Sequence, residues 1–274
     1  MMNPPSFLQA KSVEYRKTVL RIIKQANAGH TGGSLSCVDI LNVLYNAVLN
    51  VSPATFGDPD RDRYLHSKGH SAEALYTVLA ERGFFPAAEL DTLCRYPSRL
   101  AGHPTRDVPG VEHNTGALGH GLPVAVGMAL AAKMDGRTSR VFVLLGDGEL
   151  AEGSNWEALM AASHYKLDNL TVIVDRNGLQ ISGPTEQVNA LEPLAEKFRA
   201  FGLAVRSVDG HNLHQLLENF SQVPFERGKP SLVLAQTIKG KGISFIENQV
   251  GWHHHVPTDE EYAVAIAELE GQTK

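Results

Sequence analysis

The chain has 274 residues, 43% of them hydrophobic, and a net charge of -5, which allows a sizeable core and excludes the basic footprint of a nucleic-acid binder. Its two cysteines, Cys37 and Cys94, form no CxxC pair and give no disulfide framework, which suits a reducing cytoplasm. Met1 to Pro5 has neither a basic nor an apolar leader region, and the longest mostly apolar run, Leu122 to Met134, is too short for a bilayer; a cytoplasmic protein with no membrane partner is expected.

In chain order, apolar residues at helical spacing predict helices over Ser6 to Ala28 and Cys37 to Leu49. Between them lies a Gly-rich stretch, Gly29 to Ser34, read as a loop. A Pro/Gly/Asp-rich loop, Ser52 to Asp62, precedes the short apolar piece Tyr64 to His66. Helices are expected over Ser71 to Arg82, Ala87 to Arg95 and Leu118 to Met134, with a long Gly/Pro/His-rich loop from Pro97 to Gly116 before the last. The second half alternates strand-like runs (Val141 to Leu145, Leu170 to Val174, Leu203 to Val208, Ser231 to Ala235) with helical stretches (Ser154 to Tyr165, Pro193 to Phe201, Leu213 to Phe220). Short continuous β-branched runs separated by helices predict an α/β fold, a three-layer α/β/α arrangement around a mostly parallel sheet. No repeat or linker divides the chain, so residues 1–274 are expected to form a single domain, with an N-terminal helical segment and a C-terminal loop or helix.

Such sheets bind ligands beyond the carboxyl ends of their strands. Gly146-Asp147-Gly148 follows one strand, and Asp175-Arg176-Asn177-Gly178-Leu179 follows the next. A carboxylate and an amide oxygen at one edge of neighbouring strands suit a hard cation, Mg²⁺ or Ca²⁺, and a loop carbonyl such as that of Leu179 could add a third ligand. The glycines flanking Asp147 let backbone N–H groups approach a diphosphate, beside the N-terminus of the following helix. Gly-Asp-Gly by itself is usually only a strand-to-helix turn; with the downstream Asn it is more specific, and it is not the G-x-G-x-x-G dinucleotide fingerprint.

Gly146-Asp147-Gly148 through Asn177 resembles the signature of thiamine diphosphate enzymes. The resemblance implies that Asp147, Asn177 and the carbonyl of Leu179 bind the metal that holds thiamine diphosphate. Four Gly-associated histidines narrow the family: Gly29-His30, Lys68-Gly69-His70, Gly102-His103-Pro104 and Trp252-His253. Any one of them alone is more often a surface or capping histidine. Jointly they resemble the transketolases, in which the corresponding histidines surround the reactive carbon and bind the hydroxyls and carbonyl of the ketose. That resemblance assigns His30, His70, His103 and His253 as catalytic. It assigns cofactor contacts to His70, Gly116, Leu118, Gly146, Asp147, Gly148, Asn177 and His253. It also counts Glu152 among the cofactor-binding residues, as part of a chain of carboxylates near the subunit interface that links two active sites. Imidazole suits the task because it donates or accepts protons near neutral pH.

The resemblance runs from about Tyr15 to Trp252, with departures. Thr31 stands where the family often has proline, and His120 where glutamine is usual. The triplet His253-His254-His255 offers three candidates for one family position. A full transketolase is more than twice as long, and its middle domain supplies the glutamate that activates the aminopyrimidine and most of the substrate phosphate contacts. The resemblance therefore implies a separate C-terminal subunit, an α₂β₂ assembly and a sugar phosphate substrate. The rivals are the alpha subunit of a 2-oxo-acid dehydrogenase or decarboxylase, which would not need the histidine loops, and a non-catalytic cofactor-binding subunit, against which the intact Asp147, Asn177 and histidines argue.

Overall fold

The computed structural model describes residues 5–272; Met1 to Pro4 of the expected leaderless N-terminus lie outside them. The strands are β1 (Arg63–His66), β2 (Val141–Gly146), β3 (Leu170–Arg176), a two-residue pair β4 (Leu179–Gln180) and β5 (Gly183–Pro184), β6 (Ala204–Asp209) and β7 (Ser231–Gln236). The helices are α1 (Pro5–Ala26), α2 (Thr31–Val43), α3 (Ala72–Glu81), α4 (Gly121–Met134), α5 (Gly153–His164), α6 (Thr185–Val188), α7 (Leu194–Ala200), α8 (Leu213–Ser221) and α9 (Asp259–Gly271). Five strands form one parallel sheet in the order β1-β2-β3-β7-β6, and β4 and β5 pair antiparallel in a small sheet of their own.

Why these runs make a sheet covered on both faces is visible in β2, where every residue is buried. Phe142 and Leu144 enter one hydrophobic cluster with α1, α2, α3 and α8. Val141, Val143 and Leu145 enter the other, with α4, α5 and α7. Alternate side chains of one strand thus serve two cores, which is why the run shows no polar alternation. The α/β/α expectation holds. The register aligns Gly146 with Asp175, so the residues that follow β2 and β3 emerge side by side. No helix among the described residues is long and apolar enough to cross a membrane.

Several boundaries differ from the sequence expectation. Of the Gly29–Ser34 stretch only Gly29 and His30 lie outside a helix: α2 begins at Thr31, and all thirteen of its residues are buried. Its glycines serve close approach rather than flexibility. A Cβ on Gly32 would lie 2.8 Å from the backbone oxygen of Trp252, and one on Gly33 would lie 3.2 Å from the His70 ring. Packing here overrides the poor helix propensity of glycine. The helix expected from Leu118 starts at Gly121, because Gly119 adopts φ 76° and Gly121 lies tight against Ser67. The segment expected as a helix from Ala87 is only a 3₁₀ turn, Ala87–Thr92.

Two glycines contrast close approach with mere tolerance. Gly32→Ala should destabilise the chain by about 1–3 kcal/mol through overpacking. Gly127→Ala, in α4 with nothing within 4 Å of its added Cβ, should stabilise it by about 0.5–1 kcal/mol. Urea unfolding of the two variants checks both signs.

Candidate active site

The carboxyl ends of β1, β2, β3 and β7 open onto a cavity of about 290 Å³. Beneath it, Asp175 ends the apolar run of β3 and forms a salt bridge with Lys68, which follows β1; both side chains are essentially unexposed. Asp175 also accepts hydrogen bonds from Ser36 Oγ of α2, at 2.6 Å, and from Thr237 Oγ1 beyond β7. Lys68 Nζ donates to the Gly33 carbonyl at 3.1 Å. Burial opposes both charges, but their mutual attraction prevails: the Lys68 pKa is raised and that of Asp175 lowered. One ion pair thus joins four elements under the cavity.

Asp147 leaves β2 with a side chain only 2% exposed. Its Oδ1 accepts from Gly148 N at 2.8 Å, and its Oδ2 accepts from Gly178 N at 2.6 Å and Arg176 Nη1 at 3.1 Å. Burial and the neighbouring Asp175 charge raise its pKa. Asn177 and Leu179 line the same cavity, and the Leu179 carbonyl accepts from Lys239 Nζ at 3.4 Å. Carboxylate, amide and carbonyl oxygens form a donor set suited to a hard divalent cation. Gly148 and Gly116 bring bare backbone to the cavity wall; a Cβ on Gly148 would lie 2.9 Å from the Gln180 side chain. The residues present therefore fit a metal-held diphosphate.

The histidines come from four separate segments. His30 precedes α2 and its ring centroid lies 5.5 Å from His70, 5.8 Å from His103 and 5.6 Å from His253. His70 and His253 stack at 5.2 Å. His30 Nδ1 is buried without a partner among the described residues, so a hydrogen-bonding demand at this wall is unmet by them. Burial, followed by the charge of neighbours, lowers the pKa of His30 to about 4 and of His253 to about 3; burial also lowers those of His70 and His103. All four are neutral imidazoles near pH 7. Lys239 Nζ donates to His253 Nδ1 at 2.7 Å, which leaves the His253 proton on Nε2. Of the triplet, only His253 lines the cavity. His254 sits against His30, with ring centroids 4.5 Å apart, and His255 meets Trp252 edge to face and bonds Glu261.

The structure brings together His30, His70, His103, His253, Gly116, Leu118, Gly146, Asp147, Gly148, Asn177 and Leu179. It leaves Glu152 outside, exposed at the start of α5. The nearby acid on the cavity wall is Glu149, which accepts from Gly119 N at 2.9 Å, Gly146 N at 3.1 Å and Ser67 Oγ. Glu149 ties the Gly116–Gly121 loop to the end of β2. Sequence reasoning overlooked Lys68, Lys239, Glu149, Gln180 and Ile181. The available signals were Lys68 beside His70, and Asp175, a charge at the end of an otherwise apolar buried strand, which demands a buried cation.

Residues 9–269 match the protein family described as transketolase, thiamine diphosphate binding domain. The chain is 47% identical over 262 residues to an apulose-4-phosphate transketolase subunit of Phocaeicola vulgatus, covering 96% of this chain and 93% of that one. It is 44% identical over 264 residues to the 6-deoxy-6-sulfo-D-fructose transketolase subunit SqwG of a Clostridium species, covering 96% of each. To human transketolase it is 40% identical over 229 residues, which is 83% of this chain but 36% of that one. Among solved structures, transketolase from Leishmania mexicana superposes with a TM-score of 0.89 at 29% identity, over 98% of this chain and 42% of that chain. The chain thus spans less than half the length of these two transketolases.

The electrostatics of the buried groups can be tested by unfolding. Asp175→Asn should cost about 3–5 kcal/mol because it strands a buried ammonium, whereas the double change Lys68→Met with Asp175→Leu should cost less than the single one; denaturant titration decides. His66, whose Nδ1 accepts from Tyr64 and whose Nε2 donates to the Ser71 carbonyl, has its pKa lowered from 6.5 to about 3 by burial. Between those values only the unfolded chain takes up its proton, so its contribution to stability is complete above pH 6.5 and declines as the pH falls. His66→Gln, which cannot titrate, should lose less Tm than the parent between pH 7 and pH 5.

Proposed function

The chain belongs to the transketolase thiamine diphosphate binding domain family, and from that premise we propose that it transfers a two-carbon ketol unit from a ketose phosphate to an aldose phosphate, in the cytoplasm, as the N-terminal component of a split transketolase. Residues 1–274 act as one diphosphate-binding domain. The observation that carries this reading is the convergence of four neutral histidines and the Asp147–Asn177–Leu179 oxygen set on one cavity. The rival oxo-acid dehydrogenase reading has no use for the histidines.

Asp147, Asn177 and the Leu179 carbonyl are the residues that would hold Mg²⁺. The bare backbone at Gly116, Gly146 and Gly148, with Leu118, would form the wall that receives the thiamine diphosphate, with Lys239 beside it. When bound, the cofactor supplies the carbon nucleophile that carries the two-carbon unit. The chain's own work is positioning and proton handling. His253 presents the Nε2 proton to a substrate oxygen, because its Nδ1 is taken by Lys239. His30, His70 and His103 bind hydroxyls and the carbonyl, and their neutral state lets each either donate or accept. Leu118 and Ile181 add apolar surface to the cavity wall.

A separate C-terminal subunit completes the site, in an α₂β₂ assembly. Two observations support this. Two of the relatives matched along nearly their whole length are named as subunits. The helix α4 is apolar but for Lys133, yet only six of its fourteen residues are buried, and Met134 and Met160 of the adjoining α5 are 79% and 63% exposed. Such a face needs a cover. Apulose 4-phosphate, drawn from the name of a relative, is a candidate donor beside xylulose 5-phosphate.

Ketol transfer to ribose 5-phosphate, with Mg²⁺ and thiamine diphosphate, tests the proposal. This chain alone should be inactive, and this chain with the product of the adjacent reading frame should be active on at least one of these donors. In the reconstituted enzyme His103→Ala should leave cofactor affinity unchanged and lower turnover about 100-fold or more. Activity of the isolated chain, or full turnover by the variant, would refute the corresponding part.

A further inference from the structure

Arg176 does not line the cavity, yet its guanidinium meets four side chains beside it. Its Nη1 donates to Asp147 Oδ2 at 3.1 Å and to Thr185 Oγ1 at 2.6 Å. Its Nη2 donates to Glu186 Oε1 at 2.8 Å and to Glu192 Oε1 at 3.1 Å. The Arg176 side chain is 8% exposed, and its outer partners Glu186 and Glu192 are 41% and 54% exposed. A flat, always-charged fork held at four points has almost no freedom of its own.

That arrangement bears on Asp147. Oδ2 already accepts from both Gly178 N and Arg176, so its lone pairs are taken. Among the described residues Oδ1 accepts only from Gly148 N. One carboxylate oxygen is therefore anchored and the other retains a lone pair. Three carboxylates against one guanidinium leave the cluster net negative, so Arg176 can orient Asp147 without cancelling the attraction for a cation. The anchor also sets the neighbouring backbone. Thr185, which bonds Arg176, donates to the Gly178 carbonyl at 2.9 Å from its backbone N–H, and Glu186 accepts from Leu191 N and Glu192 N. The segment bearing Leu179 to Ile181 is thereby closed on the same guanidinium.

We propose that Arg176 is the positioning residue of the divalent-cation site: through its fork to Asp147 and Thr185 it holds the Asp147 carboxylate in the orientation that ligates the metal. The proposal rests on the reading of Asp147 as a metal ligand. Groups that orient a ligand typically contribute about 10- to 100-fold to metal affinity.

The test is the Mg²⁺ concentration that half-saturates thiamine diphosphate binding, read by calorimetry on the reconstituted complex, with Tm measured alongside. Arg176→Lys keeps the charge and removes the fork; it should raise the half-saturating Mg²⁺ about tenfold or more. Thr185→Val keeps every charge and the side-chain shape while loosening one arm of the fork, and should raise it by a smaller factor even if the lysine variant is too unstable to assay. A lowered Tm with unchanged Mg²⁺ dependence in both variants would overturn the proposal and leave Arg176 a structural ion-pair partner. Asp147→Ala distinguishes the premise: if it binds cofactor with unchanged Mg²⁺ dependence, the reading of Asp147 as a ligand fails, whatever Arg176 does.

Discussion

The buried pair of Lys68 and Asp175 is the constraint on which the site depends. It spans β1 and β3 across β2, and through Ser36 and Thr237 it also engages α2 and the end of β7. Two charges taken out of water carry a large desolvation penalty, offset here only by a complete set of partners. The arrangement therefore tolerates little displacement of any of the four elements. The segments carrying His30, His70, Asn177 and Lys239 all adjoin residues in that network. The geometry of the cavity is inherited from its foundation.

The cavity above it is electrically graded. On one side, burial and the neighbouring Asp175 charge raise the pKa of the Asp147 carboxyl. On the other, desolvation and mutual repulsion keep clustered imidazoles neutral. Lys239 bonds to both, reaching the Leu179 carbonyl and the His253 ring, with its pKa brought down to about 8 by burial first and then by Lys68. Crowding histidines this closely is unfavourable for any protonated member, and that same crowding makes them usable as neutral donors and acceptors.

The apolar surface of α4, beside the exposed Met160 of α5, gives the chain its second character. An ordinary amphipathic helix presents a polar face to water, whereas α4 does not. The Phocaeicola vulgatus and Clostridium relatives, matched along nearly their whole length, carry subunit names, while the human and Leishmania transketolases match this chain over 36% and 42% of theirs. A helix this apolar, left half uncovered, is consistent with a surface meant to be covered.

The alternation of β-branched runs with helices determined the parallel sheet, because a strand buried on both faces can carry no polar alternation and its residues show that directly. Gly-Asp-Gly after β2 and Asn177 after β3 were legible for the same reason: strand ends in such sheets lie at one edge, and the sequence marks where the strands end. The histidine loops were legible through their resemblance to a known family. What tertiary structure alone decided lay elsewhere. Gly29 to Ser34 reads as a loop by local propensity, yet four of its residues open a fully buried helix, in which Gly32 leaves room for the Trp252 backbone and Gly33 lies close under the His70 ring. Which member of the His253–His255 triplet enters the cavity depends on Lys239, fourteen residues away in sequence and 2.7 Å away in space. The roles of Lys68, Glu149 and Arg176 are likewise set by partners 107, 30 and 29 positions distant. Local pattern reports which face of an element is buried, but a buried charge takes its meaning from the opposite charge that the fold brings to it.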